Sequence, residues 1–326
     1  MKRFKNILCV VDVTNTRSLA LERAVRLAEN NGAILTVVDV IEHATIGFGM
    51  PESGPISADL KAAMIDNAEQ KLDSLVDPYK SQIEIQTKAL EGIKFLEIIR
   101  EVLLNGRDLV IKTPENADHL SVLFSSEDMH LLRKCPCPVW LTKPEIEKTI
   151  RCILAAIDID DGQPPASVTP QEALNRQILE ISGSLALSEF AELHIVHAWR
   201  EIDEGIFRNT KIHSFKEKVI TYDEQMYRRR RTIMDELVYE VSSSLGQNVT
   251  SFLKPKAHLV RGRAQIEIPA MAKRIRAQLI VMGTVARTGI PGFIMGNTAE
   301  DILTQIDCSV LTIKPPGFVS PVTLER

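Results

Sequence analysis

Apolar residues gather into short uninterrupted runs that recur in the same order in the two halves of the chain. Lys5 precedes a run that closes on Asp12, and Arg151 precedes one that closes on Asp158. The run from Ala33 to Asp39 answers that from Ala191 to His197, and Leu90 to Gly92 answers Val260 to Gly262. Asp108 to Ile111 matches Gln278 to Val281, and Pro138 to Pro144 matches Ser309 to Pro315. Such a register predicts five strands in each half and a duplicated unit.

Between the runs the spacing turns helical. Leu19, Ala20, Ala24, Leu27 and Ala28 mark one face of a helix over 17–29, stopping at Asn31 and Gly32. Its counterpart is expected from Gln171 to Leu187. Phe95, Ile98, Ile99, Val102 and Leu103 form a second amphipathic stretch, answered by Ile266, Ile268, Ala270, Met271 and Ile275. Continuous apolar strands alternating with helices imply a parallel sheet covered on both faces, an α/β architecture. The expected domains are 1–147 and 148–326, divided where Lys143 and Pro144 close one strand before the next opens. Residues 43–58, dense in Gly, Pro and Ser, read as loop, whereas 201–245 read as largely helical and charged.

Composition narrows the functional classes. With 44% hydrophobic and 25% charged residues, the 326-residue chain is an ordinary globular protein of two-domain length. A net charge of -4 argues against nucleic acid as the main partner. Arg228 to Arg231, followed by Asp235 and Glu236, read as an ion-paired helix face. No run reaches the roughly 18 apolar residues of a membrane span, and the opening stretch ends at Asp12 as a strand would. The simplest location is the cytoplasm, with no membrane partner. Five cysteines, two of them only two apart at Cys135 and Cys137, fit neither a CxxC metal site nor a redox pair and read as structural thiols.

Candidate chemistry collects after the fourth run of the second half. Gly283, Gly289, Gly292 and Gly296 fall within 14 residues, followed by a helical stretch over Ala299–Gln305. Glycines let a backbone approach an anion closely, and loop amides leading into a helix favour phosphate. Arg287 offers a charge-assisted hydrogen bond, and Asp158 stands at the end of the first strand. A Walker loop is absent, since no Gly-Lys-Ser/Thr occurs there.

On these motifs both halves resemble universal stress protein domains, and the whole run is most similar to the tandem E type. Nucleotide-binding members carry Gly-x2-Gly-x9-Gly-Ser/Thr. Gly283 and Gly296 take the first and third glycine positions, while Ala286 stands at the second and Asn297 replaces the Ser/Thr, with Thr298 next to it. The resemblance implies a Rossmann-like sheet of strand order 3-2-1-4-5 in each half. It also implies ATP or a related nucleotide in the second half, contacted by Asp158 and Ala198 at the base and ribose. The phosphates would lie over Gly283, Gly296, Asn297 and Thr298, and Met282 and Arg287 complete the expected nucleotide-binding residues. Asp160 and Asp161 beside Asp158 raise the prospect of Mg²⁺, although a solvated loop explains them as well.

The first half reads differently. After Ile111 no glycine occurs, Pro114 removes an amide donor, and Glu115 and Asp118 oppose phosphate; Ser125 and Ser126 align with Gly296 and Asn297. The first half is therefore expected to be scaffold without nucleotide. His194 and His197, three apart on a strand, point to opposite faces and share no metal. No triad, activated cysteine or spaced acid pair marks an enzyme; weak ATP hydrolysis is the most the chain promises. The expected function is a regulatory nucleotide-binding module in stress response. The alternatives are an interaction scaffold or a binder of another phosphorylated or apolar small molecule. The resemblance implies pairing through the predicted edge strands five, Val139 to Thr142 and Val310 to Ile313, as an internal pseudo-dimer, with a homodimer left open.

Overall fold

The computed structural model describes residues 4–14, 18–42, 55–115, 124–143, 149–159, 169–200, 213–244, 253–284 and 296–324. Arg287, Asp160, Asp161 and residues 43–54 of the expected loop segment lie outside these.

The first half runs β1 (Asn6–Val10), α1 (Leu19–Asn31), β2 (Ile34–Ile41), α2 (Pro55–Val76), β3 (Ile85–Glu91), α3 (Lys94–Asn105), β4 (Leu109–Lys112), α4 (Ser126–Lys134) and β5 (Val139–Leu141). The second repeats it with β6 (Cys152–Ala156), α5 (Pro170–Glu189), β7 (Glu192–Trp199), α6 (His213–Ser244), β8 (Lys256–Arg261), α7 (Ala264–Ile275), β9 (Leu279–Gly283), α8 (Asn297–Leu303) and β10 (Ser309–Ile313). All ten strands form one sheet in the order β3-β2-β1-β4-β5-β10-β9-β6-β7-β8. Pairings inside each half are parallel. The two fifth strands meet antiparallel, Leu311 opposite Trp140, so each half keeps the order 3-2-1-4-5 and the junction carries a local two-fold relation.

Two apolar layers cover the sheet. One joins Ala24, Leu72, Ile178 and Leu237 to one set of strand faces; the other joins Ile99, Leu131, Met271 and Ile302 to the opposite set. At the junction Trp140 is fully buried, with the Arg23 guanidinium 5.2 Å from its ring centroid. Arg23 in turn reaches Glu189 of α5 at 3.3 Å.

Local chemistry corrects several expected boundaries. Residues 55–58, expected as loop, open α2: Pro55 occupies the first turn, where its missing N–H costs nothing, and good helix formers follow. α5 begins at Pro170 under a capping box formed by Thr169 and Glu172, and runs two residues past Leu187. α8 starts at Asn297, not Ala299, and ends at Leu303, before Gln305. In the charged insert, α6 carries the ion pair Arg231–Asp235 at 3.0 Å and lays Arg230 4.6 Å from the centroid of Trp199.

The helix ends differ between halves. α1 and α3 close on Gly32 and Gly106 at φ 55° and 59°, residues that tolerate the left-handed region. α5 and α7 close on Phe190 and Arg276, both at φ 54°.

Candidate functional site

In an open parallel sheet, ligands gather beyond the carboxyl ends of the strands, where strand order reverses. In the second half that point lies between β6 and β9, and a cleft of about 280 Å³ opens there.

Each wall has a local cause. β6 delivers Ala156, Ile157 and Asp158 to the cleft. The backbone of Asp158 is clamped by buried Asn175: its N–H donates to Asn175 Oδ1 at 3.1 Å, and Asn175 Nδ2 donates to its carbonyl at 2.7 Å. The carboxylate is thereby left to project, 77% exposed. Gln171, Leu174 and Ile178, spaced to share a face of α5, form the adjoining wall. β7 ends with Ala198 and Arg200 on the cleft, and β8 leads to Gly262, Ala264, Gln265 and Ile268. Gly262 sits at φ 142°, and a Cβ there would come within 2.5 Å of the Glu267 carboxylate, so glycine is required.

β9 contributes Met282, Gly283 and Thr284; α8 contributes Thr298, Ala299 and Ile302, with Gly296 as its N-cap. The Gly296 amide donates to the Thr284 carbonyl at 3.0 Å, tying the two ends of the glycine-rich segment together. A Cβ on Gly283 would meet Leu174 Cδ2 at 2.6 Å. Six of the expected residues therefore meet in one cleft: Asp158, Ala198, Met282, Gly283, Gly296 and Thr298. Asn297 is exposed at the start of α8 and forms no part of the wall, and Arg287 lies outside the described residues.

The cleft residues that the sequence did not single out are Arg200, just after β7, Gln265 at the start of α7, and Ile268, which reads in the sequence only as an apolar helix position. The match of Gly92 with Gly262 already marked that strand end. Gln171, Leu174 and Ile178 carried a plain helical spacing that gave no reason to prefer them.

His197 is buried beside the cleft, with Nδ1 3.3 Å from the Ile159 amide, 3.3 Å from the Ile157 carbonyl and 3.9 Å from Asp158 Oδ1. Those contacts brace the end of β6. His194 stacks on His258 from β8, Nδ1 to Nε2 3.0 Å, away from the cleft. Burial, then the His194 charge, depresses the His258 imidazole below its ordinary value. Among the described residues no three side chains gather as a metal site.

The matching region of the first half is filled. Lys112 stands where the second half has Met282, and Asp128 stands where it has Ala299. Lys112 Nζ donates to Asp128 Oδ1 at 2.6 Å, with both side chains buried. Asp128 Oδ2 accepts from the Ser125 and Glu115 amides at 3.0 and 3.2 Å. Glu115 accepts from Lys94 at 3.1 Å and from the Ser125 hydroxyl at 2.9 Å. Burial would raise the Glu115 carboxyl, but Lys112 and Lys94 outweigh it and hold the group below the usual range. The amides and cations that would bind an external anion are thus engaged by the chain's own carboxylates.

A universal stress protein family model matches residues 3–143 and again 150–314. Universal stress protein E of Escherichia coli strain K12 is 28% identical over 340 aligned positions, covering 100% of this chain and 98% of that protein. Its Photorhabdus laumondii counterpart is 28% identical over 334, covering 99% and 98%. Among solved structures, a functionally unknown protein from Pseudomonas aeruginosa PAO1 is 26% identical with a TM-score of 0.67, covering 96% of this chain and 93% of that one. A universal stress protein from Archaeoglobus fulgidus shares the fold at 16% identity and a TM-score of 0.62, covering 95% and 98%. With the family pattern matched once in each half, the chain belongs to the universal stress protein family.

Proposed function

We propose that the chain is a regulatory nucleotide-binding module of the stress response, taking ATP or a related nucleotide in the second-half cleft, with the first half as scaffold. One contrast carries this reading. The second half keeps an open cleft between Asp158 and the Gly283–Gly296 segment, whereas internal ion pairs fill the equivalent place in the first half. Asp158 suits ribose hydroxyls, Ala198 leaves room for a base, and the glycines admit phosphate close to the backbone. The described cleft residues present no activated nucleophile or base, so regulation by occupancy is preferred to turnover.

Equilibrium titration with a fluorescent ATP analogue tests the proposal. Saturable binding is expected, with a loss of at least about tenfold in Gly283→Val, whose side chain would press into Leu174. Absence of saturable binding by the wild-type chain refutes it. Ile157, Leu174, Ile178, Met282, Ile268 and Ile302 give much of the wall an apolar character, which favours an apolar small molecule as the second reading. Mass spectrometry of material released from gently purified protein separates the two.

A further inference from the structure

Behind the Thr284 end of the cleft lies a lysine without an acid. Lys314 follows β10 and is 6% exposed. Its Nζ donates to the Leu132 carbonyl of α4 at 2.6 Å and to Thr284 Oγ1 at 2.5 Å, and sits 5.0 Å from the centroid of Phe318. Among the described residues no carboxylate pairs with it. From the end of α4 the titratable neighbour is the buried sulfur of Cys135, which acts electrostatically on Lys314 and lies 3.6 Å from the Cys137 sulfur. Burial and the Cys135 contact push the Cys137 thiol well up, so it offers no anion at neutral pH. Arg133 of α4 and Glu300 of α8 are engaged with each other, Lys134 lies over the Phe95 ring, and Arg100 of α3 bonds Glu97 and the Thr323 carbonyl of the tail. β9 and the tail present Thr284 and Phe318, both neutral.

An ammonium enclosed by neutral acceptors is expensive, whereas a neutral amine satisfies the same two acceptors. Thr284 Oγ1, having accepted from Nζ, keeps its own hydrogen to donate, and Thr284, itself fully buried, borders the cleft. We propose that the counter-charge of Lys314 is the ligand, a phosphate-class anion seated at the Thr284 end of the cleft, so that binding and charging of the amine occur together. The inference rests on reading the cleft as a site for a phosphorylated ligand, and adds proton linkage to it.

Burial lowers Lys314 to about 7, with the Cys135 sulfur beside it acting in the opposite direction. At pH 8 the free chain thus holds mostly neutral amine, and anion binding draws in a proton; at pH 6 the amine is already charged. Calorimetric titration with ATP in buffers of different ionisation enthalpy counts the protons. About 0.9 taken up per ligand is expected at pH 8 and about 0.1 at pH 6, with affinity falling up to about tenfold per pH unit above neutrality. Phosphate is itself deprotonated at pH 8, and Lys314→Met supplies the reference that cancels any remaining contribution from the ligand.

The wild-type count needs no variant, so a poorly folded Lys314→Met would not rescue the idea. ATP binding without uptake at pH 8, or equal uptake by Lys314→Met, overturns the role of Lys314 and leaves nucleotide binding standing. Proton-linked binding of inorganic pyrophosphate without binding of ATP does the reverse. Binding of neither overturns both.

Discussion

Replacing Asp128 by alanine strips three hydrogen bonds from one fully buried carboxylate: those from Lys112 Nζ and the Ser125 and Glu115 amides. It leaves Lys112, 4% exposed, within its 3.7 Å approach to Glu115 but without its near partner. Removing one member of a buried pair costs about 3–5 kcal/mol, because the remaining charge is uncompensated. Loss of the reciprocal cap at the start of α4 adds about 1 kcal/mol. The second half already contains the apolar solution, methionine and alanine at the matching positions 282 and 299. Lys112→Met combined with Asp128→Ala should therefore recover most of the loss, ending within about 1–2 kcal/mol of wild type. Denaturant unfolding followed by the fluorescence of Trp140, buried at the junction of the halves, reads each variant. The reasoning fails if Asp128→Ala alone costs under about 1 kcal/mol, or if the double variant is as unstable as the sum of its parts.

Phe190 closes α5 at φ 54° and is 96% exposed, where the first half places Gly32 at φ 55°. Phe190→Gly relieves the left-handed strain without losing burial and should stabilise the chain by about 0.5–1 kcal/mol, seen as a raised melting temperature; a lowered one would contradict this. Asp39, the first-half counterpart of His197, has its carboxyl raised by burial and then by the charge of Asp12. The unfolded chain gives up that proton at lower pH than the folded one, so the destabilisation grows as pH rises through this interval and is complete at neutrality. Asp39→Asn should accordingly raise the melting temperature at pH 7 and leave it unchanged near pH 3. An equal effect at both pH values would show that Asp39 acts through packing instead.

Periodicity alone exposed the duplicated strands, since Ile7, Leu35, Val110 and their counterparts are buried and polar strand positions such as Thr36 and His194 are too few to blur the pattern. The asymmetry of the two loops was equally legible, because glycine has no substitute in close backbone approach. What escaped depends on distance along the chain. Lys112 and Asp128 are 16 residues apart, and only the docking of α4 against β4 brings them together. Glu115 reads in sequence as a repeller of phosphate; in the fold it is the anion that Lys94 holds. Lys314 looks like any strand-end lysine until the packing of α4 and the tail shuts it away from water. The start of α2 was hidden because Pro55 serves a turn and a helix's first residue equally well.

The antiparallel meeting of β5 with β10 has a consequence for how the two copies could diverge. Held on one chain, the partners face each other at an effective concentration set by a short connection and independent of how much protein is made. Dilution does not separate them, and like cannot pair with like at that edge. Each copy is always opposite the other kind, so one was free to seal its pocket with Lys112 and Asp128 while its neighbour kept an opening.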